Sequence, residues 1–251
     1  MEIVILTAVG VGGATVLGAI IGFVFGKISH AFADAVLGFA AGIMLAAAVT
    51  GLILPSLEHG GSFGILICAF GVFAGALCVD LLDKLMPHLN KFAGVNVEDG
   101  DAQDRVHRVM LFVMAIAIHN IPEGIAAGVG FGTGNVGEAL LIAGGIALQN
   151  IPEGMVIISP MLAAGIPKGR TFFYACLTGL VEVVGTFIGY FAVNIASAIL
   201  PFALAFAGGT MLYVVGDEMI PETHSHGNDR AATYALIVGF VLMLTFDVIL
   251  G

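Results

Sequence analysis

Long apolar stretches follow one another along the whole chain, and short polar segments separate them. A helix needs about 20 apolar residues to cross the hydrocarbon core of a bilayer, and eight stretches reach that length. The pattern predicts spans at 3–26, 32–55, 62–86, 107–130, 136–163, 170–197, 200–220 and 231–250. The segments between them are rich in Gly, Pro, Asn and His, which is typical of loops. The longest predicted loop covers 87–106.

The composition supports a membrane protein. Of the 251 residues, 59% are hydrophobic and only 10% are charged, whereas soluble domains carry about 25% charged residues. The eight spans leave little sequence for a soluble domain, so we expect one transmembrane domain over residues 1–251. The amino terminus has no basic segment before its apolar run, and we expect it to be a retained first span rather than a signal peptide.

The cysteines and the net charge exclude several classes of function. Cys68, Cys78 and Cys176 have no paired spacing, so neither a disulfide framework nor a thiolate zinc site is indicated. The net charge is −10, and the chain has no basic patch that would neutralise phosphates. This argues against a nucleic-acid partner.

Every Lys and Arg residue falls at a loop that follows an odd-numbered span. Because cytoplasmic loops carry the excess of basic residues, this distribution predicts that the loops after spans one, three, five and seven are cytoplasmic. Both termini then lie on the extracellular or periplasmic side. The basic residues are Lys27, Lys84, Lys91, Arg105, Arg108, Lys168, Arg170 and Arg230.

The sequence Asn-Ile-Pro-Glu-Gly occurs twice, at 120–124 in span four and at 150–154 in span five. Each copy places a carboxylate, an amide and a proline inside an apolar stretch. Ionisable groups within a membrane are unfavourable, and they therefore indicate function. Each proline removes a backbone donor, and carbonyls freed in this way are tolerated where they line a cavity.

Polar side chains of the two copies share one face of each helix, because residues three and four positions apart lie on the same side. Glu182 adds an isolated carboxylate in span six. Together these groups predict a mixed oxygen and nitrogen site, whose ligands suit zinc, iron, manganese and similar divalent ions. The candidate ligands are His119, Asn120, Glu123, Gln149, Asn150, Glu153 and Glu182.

The motifs HNIPEG, QNIPEG and GLVE in spans four, five and six resemble the signature of the ZIP (Zrt-, Irt-like) metal transporters, and most closely their bacterial GufA-like branch. The likeness extends to GFAAGIMLAA, DLLDKLMPH and GTMLYVVGDEMIPETHSHG, and so covers essentially the whole chain. It implies an all-α membrane protein of eight transmembrane helices. It also implies an inverted repeat, with spans 1–3 related to spans 6–8 around a central pair, spans 4 and 5.

The resemblance further implies how the candidate ligands divide. Many relatives carry a histidine where this chain has Gln149, and an acid or a histidine where it has Asn150. The three negative charges of the carboxylates are balanced by one divalent ion and one proton. Two divalent ions would instead leave a net positive charge in a site of low polarity. We therefore expect one tightly bound ion and one weakly bound ion. The primary site would use His119, Glu123, Gln149 and Glu153, with Met44 as a neighbour; the second would use Asn120, Glu123, Asn150, Glu153 and Glu182.

Acids and histidines near the span ends predict a route for ions. Such groups gathered at one mouth can receive an ion that leaves the central site. The alternative for each is a solvated helix end or a hydrated histidine-containing loop. The candidates are Asp34, Asp80, Asp83, His88, Asp217, Glu218, Glu222, His224, His226 and Asp247.

We expect zinc uptake into the cytoplasm by alternating access, with Cd²⁺, Fe²⁺ and Mn²⁺ as further candidate substrates and no organic cofactor. The expected setting is the plasma (inner) membrane, with the lipid bilayer as partner, and a homodimer is left open. A metal-selective channel and an exporter remain alternatives. The absence of HExxH argues against an intramembrane metalloenzyme, so we do not expect an enzyme.

Overall fold

The computed structural model describes residues 1–26, 28–92 and 101–250, and these ranges are almost entirely helical. Within them, eight helices are long and apolar enough to cross a membrane. These are α1 (Glu2–Phe25), α2 (His30–His59), α3 (Gly64–Phe92), α4 (Asp101–Val129), α5 (Val136–Ala163), α6 (Lys168–Ile195), α7 (Leu200–Thr223) and α8 (Asp229–Leu250).

The eight predicted spans are all helical, but several helices end at other residues than expected. The helix α3 continues to Phe92 and α4 begins at Asp101, so both helices extend into the range 87–106 that the sequence predicts as a loop. A helix satisfies its own backbone hydrogen bonds, so it can continue into water once it has left the apolar layer. Hydropathy marks where apolar sequence stops, and here the helix continues beyond that point.

The helices α2 and α7 each contain a π-helical segment, Ala47–Ile53 and Val215–Met219. Pro55 and Pro221 each lie two residues after the end of these segments. A proline displaces the carbonyl four residues before it, and in both helices that carbonyl lies in the widened segment. Single π turns are frequent at functional sites, and the second segment carries Glu218.

The helices pack in pairs. The helix α1 packs along α5 and α4 packs along α6, while α2 packs along α8 and α3 along α7. The helices α4 and α5 also contact each other. The inverted repeat would relate spans 1, 2 and 3 to spans 6, 7 and 8, and span 4 to span 5. Under this exchange the pair α1–α5 becomes α6–α4, and the pair α2–α8 becomes α7–α3. The predicted inverted repeat would produce this pairing, and the repeat itself stays a prediction.

The glycine of each repeated motif lies against the backbone of another helix. A Cβ atom at Gly124 would overlap the carbonyl oxygen of Glu182 in α6, and one at Gly154 would overlap that of Thr15 in α1. Small residues permit such close approach of helices in a membrane. The two glycines therefore bring Glu182 and Thr15 beside the polar motifs.

An apolar core fills the bundle on one side of the motifs. Ala126 and Val129 follow the motif in α4, and Ile142 and Ile146 precede it in α5. All four are buried in one cluster. Since a short turn joins the two helices, these residues lie on the same, predicted outer side of the motifs. The core therefore closes the polar site on that side.

We predict that Gly154→Ala lowers the thermal stability of the purified protein, because its methyl group would meet the backbone of Thr15. Overpacking of this kind costs about 1–3 kcal/mol. Gly144→Ala is the matched control, since Gly144 lies in the same helix and its Cβ would have no neighbour within 4 Å. Size-exclusion chromatography after heating measures both variants. Equal stability of the two variants would contradict this packing.

Candidate metal centre

Seven candidate ligands lie at the centre of the bundle, and all are buried. They come from three helices: α4 and α5 supply the two motifs, and α6 supplies Glu182. Buried polar groups need partners, and a buried charge needs them most. The buried set is His119, Asn120, Glu123, Gln149, Asn150, Glu153 and Glu182.

Glu182 is surrounded by hydrogen-bond donors. Its Oε1 accepts from Thr15 Oγ1 at 2.6 Å and from Asn120 Nδ2 at 2.6 Å. Its Oε2 accepts from Asn150 Nδ2. The donors belong to α1, α4 and α5, so this carboxylate connects three helices to its own.

The amide of Asn150 continues this network. Its Nδ2 also donates to the carbonyl oxygen of Val11 at 3.3 Å, and its Oδ1 accepts from Gln149 Nε2 at 2.8 Å. The amide of Asn120 donates further to the carbonyl oxygen of Thr178 at 3.3 Å. Both asparagine amino groups therefore point away from the other carboxylates.

Several oxygens beside this network are buried without a hydrogen-bond donor. Among the described residues, they include both carboxylate oxygens of Glu123, Oδ1 of Asn120 and Oε1 of Gln149. The amide of Gln149 donates to Asn150, and it also interacts with the carboxylate of Glu123 without reaching good hydrogen-bond geometry. Glu123 also interacts electrostatically with the carboxylates of Glu182 and Glu153. Buried acceptors without donors are rare in proteins, and this group of them can be satisfied by a cation.

His119 lies at the edge of the centre, where it meets α7. Its Nε2 is in contact with Oε1 of Glu218, which the π-helical segment of α7 carries. The sequence placed Glu218 in a cluster at the predicted cytoplasmic end of span seven. The structure places it against a candidate ligand.

Two adjoining cavities extend from the centre towards the predicted cytoplasmic side. The first, of about 480 Å³, is lined by His119, Glu153 and Glu218 among others. The second, of about 460 Å³, is lined by His30, Asp34 and other residues at the ends of α2, α5 and α7. Both cavities contact the same four side chains, so they follow one path. The shared residues are Leu37, Phe112, Val156 and Glu222.

The second cavity contains a hydrogen-bonded group of acids and histidines. Asp34 is buried, and it contacts His226 Nδ1 at 3.0 Å and accepts from Asn228 Nδ2 at 2.9 Å. The rings of His30 and His226 stack with centroids 4.3 Å apart. Asp34 is therefore not a solvated helix end, which was the alternative that the sequence allowed.

Other predicted route residues have structural partners away from the two cavities. Asp80 pairs with Lys84 at 2.6 Å and accepts a hydrogen bond from Tyr213 at 3.3 Å. The ring of His224 contacts the carbonyl oxygen of Ile220 and the hydroxyl of Thr233, so it connects α7 to α8. Both groups stabilise helix pairs in this structure.

The remaining predicted residues are dispersed. Met44 is buried in the apolar core, Asp217 is exposed on the first cavity, and Asp247 is half-buried in α8. The side chains of Asp83 and His88 lie outside those that the structure describes. In the described ranges, His, Cys, Asp and Glu side chains form no group of three arranged to hold a metal ion.

Sequence reasoning missed three residues of these networks. Thr15 donates to Glu182, while His30 and Asn228 lie in the group around Asp34 and His226. Thr15 is one of two threonines in a glycine-rich apolar span, a pattern that gives no indication of its partner. His30 and Asn228 are the polar residues that border the helix starts of α2 and α8.

Residues 93–247 match the family model described as ZIP zinc transporter. The chain is 39% identical over 246 residues to the zinc transporter GufA of Myxococcus xanthus, and the alignment covers 96% of each chain. The chain belongs to the ZIP zinc transporter family. The predicted GufA-like branch of this family is confirmed, and the chain is a multi-pass membrane protein.

Two further ZIP relatives extend the comparison. The zinc transporter ZIPB of Bordetella bronchiseptica is 39% identical over 244 residues, which cover 95% of this chain and 78% of the relative. The human zinc transporter ZIP11 is 35% identical over 323 aligned positions, with 95% and 94% of the two chains covered. The likeness to the ZIP family thus includes all eight helices.

We predict that Glu123→Gln removes the stabilisation that zinc gives to the purified protein. The neutral amide relieves the repulsion by neighbouring acids, so the melting temperature in a chelator should stay equal or rise. Added zinc should then no longer raise it, whereas ligands that bind the folded state normally do so.

The control for this prediction is Glu58→Gln, since Glu58 is an exposed acid far along the chain from the motifs. Its zinc-dependent stabilisation should match that of the unchanged protein. A zinc-dependent rise that persists in Glu123→Gln would contradict the assignment of the site.

Proposed function

We propose that this protein transports zinc through the centre between α4 and α5. The observation that supports this most strongly is the group of buried oxygens without donors around Glu123. His119 and Glu153 lie at the border with the first cavity, where they can complete the coordination. Imidazole and carboxylate are both zinc ligands, and the relatives of this chain are named as zinc transporters.

The ligand set favours transit over permanent binding. It contains no thiolate, and two of its oxygen donors, from Asn120 and Gln149, are neutral amides. Such oxygen ligands accept a wider range of divalent ions than thiolates do. We therefore propose zinc as the main substrate and cadmium, iron and manganese as competitors at the same site. No organic cofactor and no enzymatic step enter this proposal.

The direction that we propose is uptake into the cytoplasm. The distribution of basic residues supports a cytoplasmic position for the path of the two cavities, and the apolar core lies between the centre and the predicted outer side. This arrangement fits a carrier that is open inwards and whose outer half must separate before a new ion arrives, as alternating access requires. In this proposal the chain is one transporter domain of the plasma membrane, with both termini outside.

Release would begin at His119. Glu218 contacts the imidazole of His119, so it can hold this ring once an ion has left the centre. The ion would then pass Glu222, which lines both cavities, and reach the group formed by Asp34 and His226. In this proposal, Glu218 of α7 is not a ligand of the ion; it contacts His119 after the ion has left.

We predict that the double variant Glu123→Ala/Glu153→Ala abolishes zinc uptake into proteoliposomes that contain a zinc-sensitive dye. Without these carboxylates, the centre loses most of the negative charge that compensates a divalent ion. Folding should persist, because in the described part of the chain neither carboxylate has a set of donors from three helices like that around Glu182. Glu58→Ala is the control, and normal flux in the double variant would overturn the proposed site.

We also predict counterflow. Unlabelled zinc inside the vesicles should accelerate uptake of radioactive zinc when the membrane potential is clamped, because a carrier returns faster with an ion bound. A channel would show no such acceleration. Absence of counterflow in vesicles with measurable zinc flux would therefore favour a channel over alternating access.

A further inference from the structure

We propose that Glu182 is a positioning residue of the zinc site and not one of its ligands. It orients Asn120 directly, and it orients Gln149 through Asn150, so that two amide oxygens face the ion. This inference rests on the zinc site proposed above. It separates the residues that bind the ion from Glu182 and Asn150, which orient them.

Hydrogen-bond donors occupy three of the about four acceptor sites of the Glu182 carboxylate. Oε1 has two donors, Thr15 and Asn120, and Oε2 has a third, Asn150. An ionised carboxylate only accepts hydrogen bonds. Each asparagine must therefore present its amino group to Glu182, and this decides which way each amide points.

The orientation of Asn120 follows directly from this contact. Its amino group donates to Glu182 and to the carbonyl oxygen of Thr178. Both amino hydrogens are thereby used, and Oδ1 is left buried without a donor. That oxygen is one of the acceptors that a cation would satisfy.

Glu182 orients Gln149 indirectly, through Asn150. Asn150 donates to Glu182 and to the carbonyl oxygen of Val11, so its Oδ1 is free to accept from Gln149 Nε2. With its amino group held in this way, Gln149 leaves Oε1 buried without a donor. One carboxylate thus determines the direction of two candidate ligands on different helices.

The same contacts disfavour Glu182 as a ligand. To coordinate an ion through both oxygens, the carboxylate would have to give up at least one of its donors Thr15, Asn120 and Asn150. All three side chains are buried, so a displaced donor would lose its partner, and a buried donor without a partner is unfavourable. The hydrogen bonds already stabilise the charge of Glu182 without a second ion, and we infer one zinc ion per chain.

The test is Glu182→Gln in the purified full-length protein, with zinc affinity and stoichiometry measured by equilibrium dialysis. The new amino group would oppose the amino group of one asparagine, which must turn. If Asn120 turns, its oxygen leaves the ion; if Asn150 turns, it no longer holds the amino group of Gln149. Loss of such an orienting group weakens metal binding about 10- to 100-fold. We expect one zinc ion in both proteins and weaker binding in the variant.

Two further variants make this result decisive. Thr186→Val removes a buried hydroxyl one turn further along α6, which bonds only the backbone of Glu182, and it should leave zinc affinity unchanged. Asn150→Ala leaves Glu182 intact but releases Gln149, so it should weaken zinc binding as Glu182→Gln does. This second variant tests the inference even where Glu182→Gln fails to fold.

Three outcomes would overturn the inference: two zinc ions per unchanged chain with one in Glu182→Gln, unchanged affinity in Glu182→Gln, or unchanged affinity in Asn150→Ala. Failure of the proposed function is distinguishable, because Glu123→Gln would then still bind zinc with normal affinity. If Glu123→Gln loses zinc while Glu182→Gln and Asn150→Ala keep it, only the positioning role is wrong.

Discussion

The burial of carboxylates in an apolar bundle is the constraint on which the rest of the structure depends. An isolated charge in such an environment is unfavourable by several kcal/mol even after relaxation, and the chain places three of them close together. Glu182 is compensated by three hydrogen-bond donors from other helices. Neither carboxylate oxygen of Glu123 has a donor in good hydrogen-bond geometry, although the side chain of Gln149 interacts with it. The contrast divides the centre into a part that the protein satisfies itself and a part that a cation can satisfy.

The backbone of the bundle makes this division possible. Gly124 and Gly154 let α6 and α1 approach the motifs until Glu182 and Thr15 lie against them. The π-helical segment of α7 presents Glu218 to His119 from the opposite side. The chemistry of the site therefore depends on the packing of the helices, because the close contacts that fill the bundle also bring the polar side chains together.

Much of this could be predicted from the sequence, since the signals are local. Apolar length predicted eight spans, and the repeated motif predicted which faces of α4 and α5 are polar. The contacts of Thr15 with Glu182 and of Asp34 with His226 could not be predicted, because they join residues 167 and 192 positions apart. They depend on how each helix is rotated against its neighbours. The role of an amide likewise depends on which group its amino side meets, as Asn150 demonstrates.

The most direct test of this account is an anomalous difference map, measured at the zinc absorption edge, from crystals of the protein grown with zinc. The account predicts one strong peak per chain, between α4 and α5, within bonding distance of Glu123 and beyond it for Glu182. A peak bonded to Glu182, a second peak of equal strength beside it, or no peak between these helices would contradict it.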